Sequence, residues 1–361
     1  MASDATVPVV IIGAGQAGLS VAAFLRRFGL VAGRDFVIFD RGPDTGGAWQ
    51  HRWEALRLGS AHRVNDLPGM SELGISFTTA DRSLPARQVV ADYYRRYEEA
   101  FELNVVRPVT VTSVFDRGAD LVVATTSPVY GDRETIARIV VNATGTWGAP
   151  FVPYVPGAQL FEGRPVHTAT YVSAEEFAGQ RVVVVGGGTS AIGFLLELDG
   201  VAADLTWVAR RPIDWVNTDQ LDLESAVAAV AMQDEAARAG RALPSIVSGT
   251  GVPVNRRIAA GIKRGLLVPR PMFASIEPHG VRWADGIFGP ADVIIWATGF
   301  RPELRHLAPL KLREKSGGLT VGAGLSWNDP RIFLAGYGPQ ASTIGAARAG
   351  RMIARQIMTI L

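Results

Sequence analysis

The sequence predicts an α/β fold of two nested units, each organised around a short parallel sheet, and three observations carry that expectation. Val7 to Ile12 is a β-branched apolar run that ends in Gly13-Ala-Gly15-Gln-Ala-Gly18, followed by a helical stretch, Leu19 to Phe28, and a second apolar run, Phe36 to Phe39, closing on Asp40. Strand, tight turn, helix and strand make one βαβ unit. The pattern returns about 170 residues later as Arg181 to Val185, Gly186-Gly-Gly188-Thr-Ser-Ala191 and Leu205 to Ala209. Between the copies lies Gly148-Ala-Pro150-Phe-Val-Pro153-Tyr-Val-Pro156-Gly157, whose proline and glycine content reads as a linker.

The remaining elements follow from periodicity. Val90, Tyr94, Tyr97 and Phe101 recur at helical spacing and predict a core-facing stripe. Val109 to Val114, Leu121 to Thr126 and Ala137 to Ala143 suggest an antiparallel meander leading back into the sheet. Residues 222–242 read as a helical insertion, while Asp292 to Trp296 and Ile332 to Ala335 are apolar strands expected to rejoin the first sheet. The expected domains are a discontinuous one, 1–150 with 291–361, and an inserted one, 151–290.

Composition bounds the chemistry. The chain has 361 residues, 48 % apolar and 19 % charged, enough for two buried cores. A formal charge of +2, spread along the sequence, makes nucleic acid a poor partner. There is no cysteine, which removes disulfides, thiolate metal sites and redox dithiols together. The five histidines show no ligand spacing, so no metal site is expected. Val7 to Leu25 lacks a basic leader and carries glycines at 13, 15 and 18, so it reads as strand, turn and helix rather than a signal peptide. No apolar run is long enough to span a bilayer, and the expected location is the cytoplasm.

A GxGxxG turn after a strand lets the backbone approach a pyrophosphate, and the helix that starts there directs its free N–H groups and positive dipole end at the negative charge. Gly13, Gly15 and Gly18 fill the glycine positions, with Gln16 and Ala17 supplying N–H groups between them. Asp40, followed by Arg41, stands where an acid would accept hydrogen bonds from an adenosine ribose. In the second unit Gly186 and Gly188 lead to Thr189, Ser190 and Ala191, the last a small residue that still permits close helix packing. Its strand ends on Arg210 and Arg211, side chains suited to a 2′-phosphate. FAD is therefore expected in the first unit and NADPH in the second, with NADH the weaker alternative. The fold class is α/β, two nested Rossmann-like dinucleotide-binding domains.

At this point the chain resembles the flavin-containing monooxygenases of small bacterial type. Phe161-Glu-Gly163-Arg-Pro-Val-His167-Thr-Ala-Thr-Tyr171 is similar to that family's FxGxxxHxxx(Y/F) signature and lies just ahead of the second glycine turn. Gly46-Gly47-Ala48-Trp49, Ala143-Thr144-Gly145 and Asp292-Val-Ile-Ile-Trp-Ala297-Thr298-Gly299-Phe300 agree with it. The resemblance implies that Gly47, Ala48 and Trp49 line the ribityl and isoalloxazine side of FAD. It also implies that Thr144 and Gly145 mark the crossing between domains, that Gly336 and Tyr337 bring backbone N–H groups toward the flavin pyrimidine, and that Thr298 and Gly299 belong to the cofactor-binding set. Ser60 and Val109 join the cofactor-binding set. His167 is implied as an organiser of the domain link rather than a proton donor.

The implied activity is transfer of one oxygen atom from O2, through a C4a-hydroperoxyflavin, to a small soft nucleophile such as a sulfide or amine. The Trp-Pro or Trp-Asp ending typical of Baeyer–Villiger enzymes is replaced by Tyr171-Val172, which places ketone oxygenation second. A non-oxygenating NADPH–flavin reductase or FAD-binding sensor stays open as an alternative, and so does a homodimer. A disulfide reductase is excluded by the missing cysteines.

Overall fold

The structure is a computed structural model that describes residues 5–61, 64–217, 223–244, 251–341 and 343–361. The chain divides into two compact units, one comprising Met1–Gly148, Val230–Pro244 and Pro302–Leu361, the other Ala149–Ala229 and Ser245–Arg301.

In the first unit β1 (Ala5–Ile12) is flanked in parallel by β2 (Phe36–Phe39) and by β5 (Arg133–Asn142). Val9, Val10 and Ile11 are fully buried, as a strand covered on both faces requires. The early half of β5 pairs antiparallel with β4 (Asp120–Thr126), which pairs with β3 (Thr110–Arg117), so the predicted meander forms. Its late half pairs in parallel with β17 (Ile332–Leu334), and β15 (Val321–Gly322) and β16 (Leu325–Ser326) complete that edge. Helix α1 (Gln16–Arg27) packs against α6 (Thr343–Ile360), where a methyl group at Gly350 would stand 2.7 Å from the Ser20 Cβ. Helix α2 (Ala86–Ala100) buries Val90, Tyr94 and Tyr97 completely, as the stripe predicts.

In the second unit β14 (Val293–Trp296) lies between β6 (Arg164–His167) and β7 (Arg181–Val185), with β8 (Asp204–Val208) beyond β7, all parallel. This corrects the expectation that Asp292 to Trp296 rejoins the first sheet; only the later run does, as β17. An apolar strand buried on both faces announces its burial and not its sheet. The register is marked instead by Asp292, whose carboxylate accepts from the Arg181 backbone N–H at 2.8 Å and pairs with its guanidinium at 2.6 Å. Helix α3 (Thr189–Leu198) follows the second glycine turn. Strands β9 (Trp215–Asn217) and β10 (Val252–Val254) pair with each other, and β11 (Ser275–Glu277), β12 (Gly280–Arg282) and β13 (Phe288–Pro290) form an antiparallel meander. Helix α5 (Arg256–Lys263) is capped by Asn255, whose side-chain oxygen accepts from the Ile258 N–H.

The helical insertion is present as α4 (Leu223–Arg238), residue 222 lying outside the described residues. Its later part clusters with the first unit, whereas the sequence reading assigned it to 151–290. Gly240 accepts from the Gly318 N–H at 3.0 Å and Ser316 from the Ala242 N–H at 3.1 Å, and Gly338 sits against Ala237. The return crossing falls at Arg301 and Pro302 rather than at 291.

Candidate functional site

Register gathers the first set of site residues. Ile12 stands opposite both Phe39 and Asn142, and Asn142 opposite Leu334, so Gly13, Asp40, Ala143 and Ala335 all leave the sheet at its carboxyl edge. Ligands of open α/β sheets bind at this edge. Gly13 has φ +103°, and a side chain there would stand 2.6 Å from the Ala143 carbonyl oxygen; one at Gly18 would collide with the Gly13 carbonyl oxygen. These two glycines are demanded by the turn itself. Gly15 differs: its backbone is extended, and a Cβ there would meet nothing nearer than the Gly47 Cα at 3.9 Å. As N-cap of α1 it offers no side-chain acceptor, and the first turn carries no acid. No capping side chain of Gly15 and no acid of the first turn competes with an anion there, and the open face of Gly15 fits a diphosphate.

Asp40 is buried, and both its oxygens are engaged, Oδ2 accepting from the Ala14 N–H at 2.7 Å and Oδ1 from the Gly42 N–H at 2.8 Å. A carboxylate retains further lone pairs, so bracing the turn and accepting a ribose hydroxyl are compatible. Val109 donates its N–H to the Asp40 carbonyl at 2.8 Å. The sequence reading missed Arg107 and Glu98: the guanidinium makes a two-pronged pair with Glu98 at 2.6 and 2.8 Å, and its Nε stands 3.8 Å from Asp40 Oδ1. Burial raises the Glu98 carboxyl while Arg107 opposes that rise. No spacing in the sequence signals this cluster, because its members come from a helix, a loop and a strand end.

Thr144 donates its hydroxyl to the Glu303 carbonyl at 2.8 Å, and Gly145, at φ +64°, accepts from the Glu303 N–H. Arg41 is exposed, with a guanidinium nitrogen 4.0 Å from Glu303. Trp49 is buried, Ala48 is exposed, and Gly47 faces Gly15 so closely that a side chain on it would stand 2.7 Å from the Gly15 Cα. Gln16 and Ala17 open α1, and Gly336 lies against Ala17. Tyr337 is buried with its hydroxyl accepting from the Leu319 N–H at 3.1 Å, so what this position can offer a ligand is backbone. Ser60 is exposed and donates to the Arg57 carbonyl within its own turn.

His306 was also not anticipated. It is buried, and its Nε2–H donates to Asn142 Oδ1 at 2.7 Å. Burial, aided by the Arg41 cation, holds its pKa down to about 4 against an ordinary 6.5. Between those values the unfolded chain binds the proton and the folded chain does not, so stability falls as pH falls through this window, by about 3 kcal/mol in all. His306→Gln, which keeps a donor for Asn142, is expected to flatten that part of the pH profile; urea unfolding at pH 7, 5 and 4 checks it.

The second unit repeats the arrangement. Trp296 stands opposite His167 and Val185, and Val185 opposite Val208, bringing Gly186, Ala209, Ala297 and Thr168 to one edge. A side chain at Gly186 would collide with the Ala297 carbonyl oxygen, and the Trp207 indole N–H donates to the Gly186 carbonyl at 2.7 Å. Gly188 is the N-cap of α3, again with no side-chain cap and no acid in the first turn of Thr189, Ser190 and Ala191. Arg210 and Arg211 are exposed and form no ion pair among the described residues. The turn fits a second diphosphate, and the arginines a further phosphate.

His167 is buried at the end of β6. Its Nδ1 accepts from the Ala169 N–H at 3.1 Å, and its Nε2–H donates to the Gly299 carbonyl at 3.1 Å. Burial lowers its pKa, so the ring is neutral with both nitrogens occupied. The Thr298 hydroxyl donates to the Phe151 carbonyl, and Gly299, at φ +80°, accepts from the Phe151 N–H at 3.0 Å. His167 therefore fastens the 299 loop to the turn after β6.

A sequence profile of the pyridine nucleotide-disulphide oxidoreductase family matches residues 10–233. A solved flavin-containing monooxygenase from Stenotrophomonas maltophilia superposes with a TM-score of 0.79, at 33 % identity over 99 % of each chain. An indole-3-pyruvate monooxygenase, YUCCA4 of Oryza sativa subsp. japonica, is 26 % identical over 85 % of this chain and 76 % of its own length. A bacillithiol disulfide reductase from Bacillus cereus shares the fold, with a TM-score of 0.70 at 20 % identity over 99 % of this chain and 100 % of its own, but the present sequence has no cysteine. The chain thus belongs to the flavin-containing monooxygenases, enzymes of the pyridine nucleotide-disulphide oxidoreductase type that use FAD and NADPH.

Proposed function

We propose that the enzyme transfers one oxygen atom from O2 to a sulfide or amine at the expense of NADPH. The observation that carries this reading is the pair of uncapped, acid-free helix starts behind glycine turns, one beside Asp40 and the other followed by Arg210 and Arg211. FAD, when bound, supplies the redox and oxygen chemistry, so the chain's own work is to bind, orient and exclude water. The residues Gly13, Gly15 and Gly18 with α1 hold the flavin nucleotide's diphosphate, Asp40 its ribose, and Gly186, Gly188 and α3 the nicotinamide nucleotide's. His167 acts as a brace, because both ring nitrogens are already occupied.

Tyr171, which replaces the ketone-oxygenating ending, packs on Phe194 with centroids 4.1 Å apart and donates its hydroxyl to Glu197 at 3.1 Å, a structural role. Val7 to Leu25 falls in β1, the turn and α1, and among the described residues no helix is long and apolar enough to cross a membrane.

The test is product analysis with NADPH and a panel of methyl aryl sulfides, amines and cyclic ketones. Because the rice relative is an indole-3-pyruvate monooxygenase, an aromatic 2-oxo acid belongs in the panel. Sulfoxide or N-oxide is the expected main product; lactone as the main product would refute the substrate class. His167→Ala leaves the Gly299 carbonyl and Ala169 N–H unpaired, and is expected to cost about 2–3 kcal/mol of stability. It should also raise the peroxide released per NADPH oxidised. An unchanged peroxide ratio would reduce His167 to a packing residue.

A further inference from the structure

The 3-10 turn Gly47–His51 ends on Arg52, whose guanidinium carbon lies 4.6 Å from the centre of the Trp147 ring and 5.7 Å from that of Trp49. His51 stacks on Trp147 with centroids 5.9 Å apart, and the Arg41 guanidinium packs against Gly148. The neighbourhood is therefore basic and aromatic. Arg52 Nε is buried without a hydrogen-bond partner. Burial alone lowers the guanidinium pKa to about 10, with no carboxylate to offset it, so the group stays charged at neutral pH.

Two half-buried arginines of this unit are paired with carboxylates: Arg107, whose Nε also has no hydrogen-bond partner, pairs with Glu98 at 2.6 Å, and Arg331 pairs with Asp329 at 2.7 Å. A guanidinium is attracted to tryptophan through its faces, whereas its N–H donors lie in its plane and need acceptors there. Two ring contacts thus leave its strongest capacity unused. An unpaired buried charge opposes folding, and an apolar chain such as Met would fill the space beside the two indoles without that penalty. A planar fork of this kind matches a carboxylate or a phosphate.

We propose that Arg52 is the binding residue for an oxyanion, carboxylate or phosphate, on a bound molecule. In the setting of the proposed function, on which the choice of candidates rests, that oxyanion belongs either to the diphosphate of FAD or to an acidic substrate. Two binding arms separate the sources. In the first, FAD is titrated into deflavinated wild type, Arg52→Gln and Arg52→Lys, and the dissociation constant is read from flavin fluorescence. In the second, 4-(methylthio)benzoate and its neutral methyl ester are titrated by calorimetry into the same proteins, so that the result does not depend on turnover.

Arg52→Gln is expected to weaken FAD, or the acid but not the ester, by about tenfold or more, as loss of a charge-assisted fork implies. Arg52→Lys, which keeps the charge without the fork, should recover part of that loss. The melting temperature of Arg52→Gln should be unchanged or higher. If both variants leave FAD and acid affinities within about twofold of wild type, or if Arg52→Gln lowers the melting temperature with no change in either affinity, Arg52 is a packing residue and the proposal falls. Absence of oxygenated product from every compound in the panel would instead sink the monooxygenase reading and leave both binding arms legible.

Discussion

Gly15→Asp is expected to abolish FAD retention without unfolding the first unit. The backbone there is extended, which any residue adopts, and the nearest atom to an added Cβ is 3.9 Å away, so the side chain has room. A carboxylate at the N-terminus of α1 is even favourable to the helix. What it opposes is the diphosphate: like charges about 4 Å apart at an effective dielectric of about 20 repel by roughly 4 kcal/mol, or about a thousandfold in affinity. Gly13→Ala and Gly18→Ala should fail in another way, since each side chain would meet a backbone carbonyl oxygen of the turn. The pair of outcomes is checked by the flavin-to-protein ratio together with thermal unfolding. A yellow Gly15→Asp protein with full flavin content would show that the turn does not hold the diphosphate.

The second large effect concerns the nicotinamide. Arg210 and Arg211 are exposed and unpaired among the described residues, so they are available to a 2′-phosphate, and solvent weakens each contact. With each charge-assisted bond worth roughly 1.5–3 kcal/mol before that weakening, the net preference for NADPH over NADH should be about ten- to a hundredfold in kcat/KM. Replacing both by Gln should bring the cofactors together by raising KM for NADPH, with kcat little changed because the nicotinamide end is untouched. Added salt should shrink the wild-type preference. Equal use of NADH and NADPH by wild type at low ionic strength would make these arginines ordinary surface residues.

Much of this was legible in the sequence because the chemistry sits at strand ends. A buried parallel strand is a short apolar run, a glycine turn follows it, and the next residue type gives the charge at the edge; Gly13, Asp40, Gly186 and Arg210 were proposed as site residues in this way, and Gly13, Asp40 and Gly186 do follow directly on strand ends. Sheet membership was less legible, since Val293 to Trp296 and Ile332 to Leu334 are equally apolar, and only the Arg181–Asp292 clamp distinguishes the first. The later part of α4 was assigned to the other unit for a similar reason: the residues just beyond it, Gly240 and Ala242, bond to backbone groups at Gly318 and Ser316, which leave no mark in composition. The clusters Asp40–Arg107–Glu98 and Asn142–His306, and the cation between Trp49 and Trp147, join residues far apart in sequence, so no local pattern could reveal them.

The central claim is that NADPH and O2 are spent on oxygen transfer at a bound flavin. It is tested most directly by supplying isotopically labelled O2 and NADPH with methyl phenyl sulfide, then measuring label in the product against NADPH consumed. Labelled sulfoxide in equal amount to NADPH oxidised is the expected result. NADPH oxidised with matching peroxide and no labelled product, across the sulfides and amines alike, would contradict it and leave a flavin reductase in its place.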